Sequence, residues 1–395
     1  MRGVIYLAWR YLAWHRVKTG VLVATITLIV FVPSGLSMII DQTAQDMTAR
    51  AVQTPLLLGA RGSPLELTLN SLYFSGQRPA AIDYRELAAL TSNDGVGQVP
   101  LFVRYESRGF PIVGTTLDYF DFRRHRLAAG RPLVSLGEAV LGAAVAAELD
   151  LAVGDTVVSA PETLFDLAGV YPLKMPIVGV LAPTSSSDDR AIFVDLKTSW
   201  VIAGLGHGHQ ALEDPAAAGS VLQVEDDRIV ANASLVQYNE INEANQDSFH
   251  FHGDLGDYPI SAILTVPESD KAGTLILGRY QSHASLQMIS PKAVVEELLE
   301  TVFAVQRYVL VAMLMVGLAT IAVVTLVFLL SLRLRQGEML TMARIGGAPA
   351  AIRGLMLAEM GIVLLLAAVF AGLLSVVSLI WGDVLFNSLL SQAQG

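Results

Sequence analysis

The chain contains no cysteine. That excludes disulfides, thiolate metal sites and a cysteine nucleophile, and it suits a segment outside the cytoplasm that avoids stray disulfides. Charge is also scarce: 16% of the 395 residues are charged, against 53% that are hydrophobic. The sequence lacks a Gly-x-x-x-x-Gly-Lys-Ser/Thr phosphate loop, a Gly-x-Ser-x-Gly elbow and a His-Glu-x-x-His pair. It therefore has no equipment of those kinds for ATP hydrolysis, acyl transfer or zinc proteolysis. The chain reads as not an enzyme by itself.

Where charge is missing, long apolar runs appear: Val21 to Ile40, Tyr308 to Leu332 and Met360 to Ile380. At 1.5 Å per residue, a helix over each run crosses a hydrocarbon layer of about 30 Å. Between the first and second lie about 260 residues of mixed polar sequence, enough for a core of their own. The net charge of −10 is unevenly spread, since Asp41 to Val305 carries 17 Lys+Arg against 33 Asp+Glu. Basic residues flank the runs instead: Arg2, Arg10, Arg16 and Lys18 before the first, and Arg333, Arg335, Arg344 and Arg353 between the second and third. Short Lys/Arg-rich loops stay in the cytoplasm, so the N-terminus and residues 333–357 are expected inside, and the acidic segment and the C-terminal tail outside. The acidic balance is read as a solvated surface. Ala49-Arg50-Ala51 resembles a signal cleavage site, but a run of 20 apolar residues favours an uncleaved anchor. Ile5, Trp9, Leu12 and Trp14, among basic residues, read either as a short interfacial helix or as a flank that orients the first span.

The expected fold class is an α-helical membrane protein with three transmembrane helices and a large mixed α/β extracytoplasmic domain of two lobes. The expected boundaries are 1–20 (inner interfacial helix), 21–40 (first span), 41–305 (external domain), 306–332 (second span), 333–357 (inner loop), 358–381 (third span) and 382–395 (outer tail). Strands are expected at Leu65–Leu69, Leu101–Tyr105, Phe110–Gly114, Val157–Ser159, Met175–Leu181, Ile192–Val194 and Ile260–Val266. Helical stretches are expected at Asp41–Val52, Tyr84–Thr91, Glu138–Glu148, Thr274–Tyr280 and Pro291–Val302, the last running into the second span. Ser185 to Asp189 reads as a loop between strands, and His207 to Asp257 as a long polar loop or insertion.

One stretch of the inner loop has a recognisable order. Arg335-Gln336-Gly337-Glu338, then Met342-Ala343-Arg344-Ile345-Gly346-Gly347-Ala348 and Glu359 at the next apolar run, resembles the FtsX-like/MacB-like permease family. In the external segment, Gly130-Arg131-Pro132, Glu138 to Gly142, Val153-Gly154-Asp155-Thr156, Val178 to Leu181 and Asp189 to Val194 resemble that family's periplasmic core domain. The resemblance covers most of the chain except about 205–257. It implies a membrane subunit of an ABC transporter in a bacterial inner membrane, a homodimer working with a cytoplasmic ABC ATPase, with a possible periplasmic adaptor or substrate-binding protein. It implies mechanotransmission from ATP hydrolysis to the external domain, with no cofactor bound by the chain itself and no nucleic-acid partner. It also implies that Arg335, Glu338, Met339, Leu340, Met342, Arg344, Gly346, Gly347 and Glu359 form an ATPase-coupling element. Met339, Leu340 and Met342 would fill a groove, Arg335 and Glu338 would fix orientation, and Gly346-Gly347 would end a short helix. An ordinary basic inner loop is the competing reading, and Glu359 could equally be an interfacial helix-start residue. The family usually has four spans, whereas three fit in this sequence. No charged residue lies mid-span, so nothing suggests a hydrophilic path through the bilayer.

Four of the seven histidines fall where the resemblance is absent: His207, His209, His250 and His252. In extended chain, residues i and i+2 share a side, so each pair can present two imidazoles together. Glu213, Asp214, Asp254 and Asp257 are near in sequence, and imidazole with carboxylate suits Zn²⁺. A polar loop with histidine by composition accounts for the pairs equally simply. Zinc-associated permeases with a His-rich insertion look similar, which implies metal uptake as one alternative function. A non-transporting regulator of a periplasmic partner is another.

Overall fold

Long apolar sequence here forms long helices. In the computed structural model, which describes residues 2–94, 97–160, 172–209, 221–225, 228–231, 238–346 and 348–393, Arg16–Val52, Pro291–Leu334 and Pro349–Ala393 are each one helix. All three contain stretches long and apolar enough to cross a membrane. The chain divides into a helical unit, Met1–Asp46 with Leu298–Gly395, and a second unit, Met47–Glu297.

In the helical unit, the helix Arg2–Trp14 lies along Pro349–Ala393. Leu12, Leu22 and Val363 bury one another, with Ile26, Val324 and Phe328 packed against them. Thr27 Oγ1 donates to the Ala367 carbonyl at 3.3 Å, satisfying a hydroxyl inside an apolar contact. The outward faces stay apolar: Leu314, Ile321, Leu326, Leu365 and Leu373 are each more than half exposed. Surface of this kind is favourable against lipid and unfavourable against water.

The second unit is built on a ten-stranded sheet. Across it run Leu286–Ile289, Leu56–Ala60, Ala262–Val266, Gly97–Ser107, Phe110–Thr115, Ile192–Asp195, Ala139–Leu141, Lys174–Leu181 and Leu127–Gly130, with Thr156–Val158 also paired to Lys174–Leu181. Gly97–Ser107 and Phe110–Thr115 form a hairpin whose two linking residues, Arg108 and Gly109, both have positive φ (49° and 80°), the turn that matches strand twist. Two pairings are parallel, Phe110–Thr115 with Ile192–Asp195 and Ala139–Leu141 with Lys174–Leu181. Among the described residues, two of the apolar clusters pack against this sheet beside further buried residues such as Leu57, Leu101 and Phe193. One holds Leu58, Phe102, Trp200, Tyr258 and Ile276, the other Ile112, Leu141, Val145, Met175 and Ile192. Trp200 is buried with its Nε1 donating to the Pro259 carbonyl at 2.8 Å, so its one polar atom is satisfied.

Two sequence expectations are overturned. Leu65–Leu69 lies in a helix, Pro64–Tyr73, although its alternating leucines suggested a strand. Ser63 caps that helix by accepting from the Glu66 backbone at 3.2 Å, and Pro64 occupies its first turn, so start signals outweigh the alternation. The helical patch expected at Glu138–Glu148 is split into the strand Ala139–Leu141 and the helix Ala143–Leu149. The break is Gly142, where a Cβ would lie 2.2 and 2.4 Å from the Asp188 and Asp189 carbonyl oxygens. Only glycine permits that backbone approach.

Candidate functional site

The connection between the second and third long helices is itself mostly helical. Gln336–Arg344 is a short helix, Ile345 follows it, and Gly346 takes φ +94°, the left-handed conformation that ends helices. Gly347 lies outside the described residues. The next helix begins at Pro349, so Glu359 sits well inside it rather than at its start. The helix-start role considered for Glu359 is thereby removed, because a carboxylate gains from the dipole only within the first turn.

Glu359 is instead buried, and both its oxygens accept from Arg335 Nη1 at 3.0 and 2.9 Å. Arg335 Nε also donates to Glu338 at 3.2 Å, and its guanidinium stacks 3.7 Å above the Tyr11 ring. Such a site uses the planar, delocalised cation that only arginine supplies. Arg335, Glu338 and Glu359 are thus drawn together. Met339 and Met342 are half-buried and Arg344 is exposed. Leu340, on a helix with no buried residue, is 55% exposed, and Ile345 just after it is 81% exposed.

The histidine pairs come together in a short two-stranded ribbon. Gly206–Gly208 pairs antiparallel with Phe249–Phe251, in the register Gly206↔Phe251, His207↔His250 and Gly208↔Phe249. Ring centroids are 4.8 Å apart for His207–His250, 5.0 Å for His209–His250, 5.1 Å for His207–His252, 4.8 Å for His250–His252 and 5.9 Å for His207–His209. Potential ligand atoms of His207, His209 and His250 all lie within 4.8 Å of one another. Burial, then the neighbouring imidazoles His250, His252 and His209, push the His207 ring below its ordinary value. Glu213 and Asp214 lie outside the described residues. Asp257 is taken by an ion pair with Arg85, and Asp254 by the Gly256 backbone at 2.9 Å. Among the described residues the cluster is imidazole without carboxylate.

A third constellation was not visible in the sequence. Arg50, in the last turn of Arg16–Val52, donates from Nη1 and Nη2 to the two oxygens of Asp188, each at 2.8 Å. Tyr119 Oη donates to Asp188 Oδ1 at 2.6 Å, and His125 Nε2 lies 3.0 Å from Oδ2. Arg50 Nε reaches the Leu72 carbonyl, and Phe74 lies under the guanidinium at 5.5 Å. Burial alone would push the Asp188 carboxyl up, but Arg50 and His125 hold it well below the usual carboxylate range. Burial, followed by the charge of Asp188, pushes the Tyr119 phenol up, so it stays a donor. The Ser185 to Asp189 segment lies between strands, as expected, but it enters a short 3-10 helix, Ser187–Arg190, and Asp188 is buried at the centre of this network.

The MacB-like periplasmic core domain family matches residues 20–235, more than half of the chain. The chain belongs to that family. Among solved structures it is similar to the periplasmic region of MacB from Actinobacillus actinomycetemcomitans, at 11% identity and a TM-score of 0.34, over 62% of this chain and 92% of that one. It is also similar to the extracellular domain of the noncanonic ABC-type transporter YknZ from Gram-positive bacteria, at 14% identity and a TM-score of 0.30, over 59% of this chain and 98% of that one. No curated protein matches the sequence. A MacB-like periplasmic domain together with three apolar helices fits an inner-membrane protein with an extracytoplasmic domain.

Proposed function

We propose that this chain is the membrane subunit of an ABC transporter, driven by a separate cytoplasmic ATPase and acting as a homodimer. The family match over residues 20–235 is the observation that carries this reading. Basic residues at the N-terminus and between the second and third long helices put both on the cytoplasmic side, leaving the family domain outside. The coupling element is the helix Gln336–Arg344. Arg335 sets its root through Glu359 and Tyr11, while Leu340 and Ile345 stay exposed where an ATPase groove can cover them. Half-buried Met339 and Met342 add adaptable packing.

In this account ATP binding draws the coupling helices together and tilts the spans. The helices Arg16–Val52 and Pro291–Leu334 carry that displacement to the external domain. Arg50, in the last turn of the first long helix, is itself part of the external unit and is bonded there to Asp188. The chain supplies motion and leaves the chemistry to the ATPase, and its substrate need not pass between the spans.

The test is the double variant Met339→Asp, Leu340→Asp, co-expressed with the partner ATPase. Loss of ATPase co-purification is expected, with the chain's own thermal stability unchanged because Leu340 is exposed and Met339 only half-buried. Undiminished co-purification would refute the assignment of this helix.

A further inference from the structure

The histidine ribbon has two unlike faces. Antiparallel pairing with a period of two puts His207, His209, His250 and His252 on one side, and Gly206, Gly208, Phe249 and Phe251 on the other. A Cβ on Gly206 or Gly208 would meet ring carbons of Phe251 or Phe249 at 2.5 Å, so the phenyl rings lie flat over the glycines. Phe251 packs against both apolar clusters of the domain and Phe249 against one of them. The ribbon is therefore held by its phenyl face, and the four imidazoles are gathered on the other.

The nitrogen atoms are also prepared. His250 Nδ1 lies 2.9 Å from the Ser248 carbonyl, which can only accept, so Nδ1 carries the hydrogen and the Nε2 lone pair is left for another partner. This is the outer hydrogen bond that commonly fixes the tautomer and orientation of metal-binding histidines. His207 sits directly opposite, and His209 and His252 flank the central pair from opposite ends.

We propose that this ribbon is a binding site for a divalent transition-metal ion, held by His207, His209 and His250 with His252 as the fourth ligand. An all-imidazole set selects Zn²⁺, Cu²⁺, Ni²⁺ or Co²⁺ and rejects Mg²⁺ and Ca²⁺, which require oxygen ligands. Zn–N bonds of about 2.0–2.1 Å require small side-chain rotations that draw the nitrogens inward. The metal would clamp residues 207–209 to residues 250–252, stiffening a ribbon that packs on the domain's two apolar clusters. The site does not depend on the chain having an ATPase partner.

The experiment uses the full-length chain without a polyhistidine tag, purified in detergent, stripped with EDTA and titrated calorimetrically with ZnCl₂. One Zn²⁺ per chain is expected, and Mg²⁺ in excess should not compete. His250→Ala and His207→Ala should each weaken binding by at least about 100-fold, beyond what loss of an outer-shell partner costs. The same change at His283, outside the ribbon, should leave binding unchanged. Because a variant could lose binding by misfolding, melting curves in EDTA accompany each titration. The expected result is an unchanged EDTA melt with loss of the Zn²⁺-induced rise in Tm. Co²⁺ substitution gives a second readout, since tetrahedral nitrogen ligation produces visible absorption that the variants should lack. Absence of saturable Zn²⁺ binding by the wild type, or equal binding by His207→Ala/His250→Ala, overturns the proposal.

Discussion

Asp188 shows how a single residue can hold together parts of the chain that are remote in sequence. Its partners Arg50, Tyr119 and His125 lie 138, 69 and 63 residues away, so no local pattern announced it. The sequence there reads only as Ser-Ser-Ser-Asp-Asp, a turn composition. Buried pairs of this type contribute modestly in total, but removing one partner strands the other charge, at a cost of about 3–5 kcal/mol. Asp188→Asn should therefore destabilise the chain by about that amount at pH 7, measured by denaturant unfolding in detergent. The folded carboxyl is held below its ordinary value, so its contribution is complete above about pH 4 and is lost as pH falls further. The gap between wild type and variant should accordingly narrow below about pH 4. A gap constant from pH 7 to pH 3 would contradict the ionised-carboxylate account. Arg335 differs in that Glu338 and Glu359, three and 24 residues away, stand with it in the stretch whose order the sequence made recognisable, although their bonding to Arg335 was not read there.

At the scale of elements, the strands with local alternation or a nearby turn were readable, such as Phe110–Thr115 and Lys174–Leu181. Leu56–Ala60 was not, because neighbouring strands flank it on both sides and Leu56, Leu57 and Leu58 are all buried, which erases the two-residue period. The histidine ribbon was half legible. Spacing by two revealed each pair, whereas the register that sets His207 opposite His250 joins residues with a polar insertion between them. Gly142 supplies the element-scale test. Gly142→Ala forces a Cβ against two backbone carbonyls that cannot rotate away, and overpacking of this kind costs about 1–3 kcal/mol. Because one of those carbonyls belongs to Asp188, the Gly142→Ala and Asp188→Asn effects should fail to add in a double-mutant cycle. Strict additivity would mean the two positions are independent, contrary to the packing described.

For the whole molecule, the three apolar runs were plain in the sequence because membrane spans need only length and hydropathy. Membership of the MacB-like periplasmic core domain family rests on residues 20–235, a stretch that takes in the first apolar helix and most of the segment before the second. In the proposed function the drive enters at Gln336–Arg344. A photo-reactive amino acid at Leu340, which is 55% exposed, tests this in native membranes. Irradiation followed by mass spectrometry should yield an adduct to an ATPase bearing a Gly-x-x-x-x-Gly-Lys-Ser/Thr loop, and the same probe at Leu275, in the external domain, should not. Crosslinks from Leu340 only to lipid or to this chain, with the ATPase present, would contradict the account.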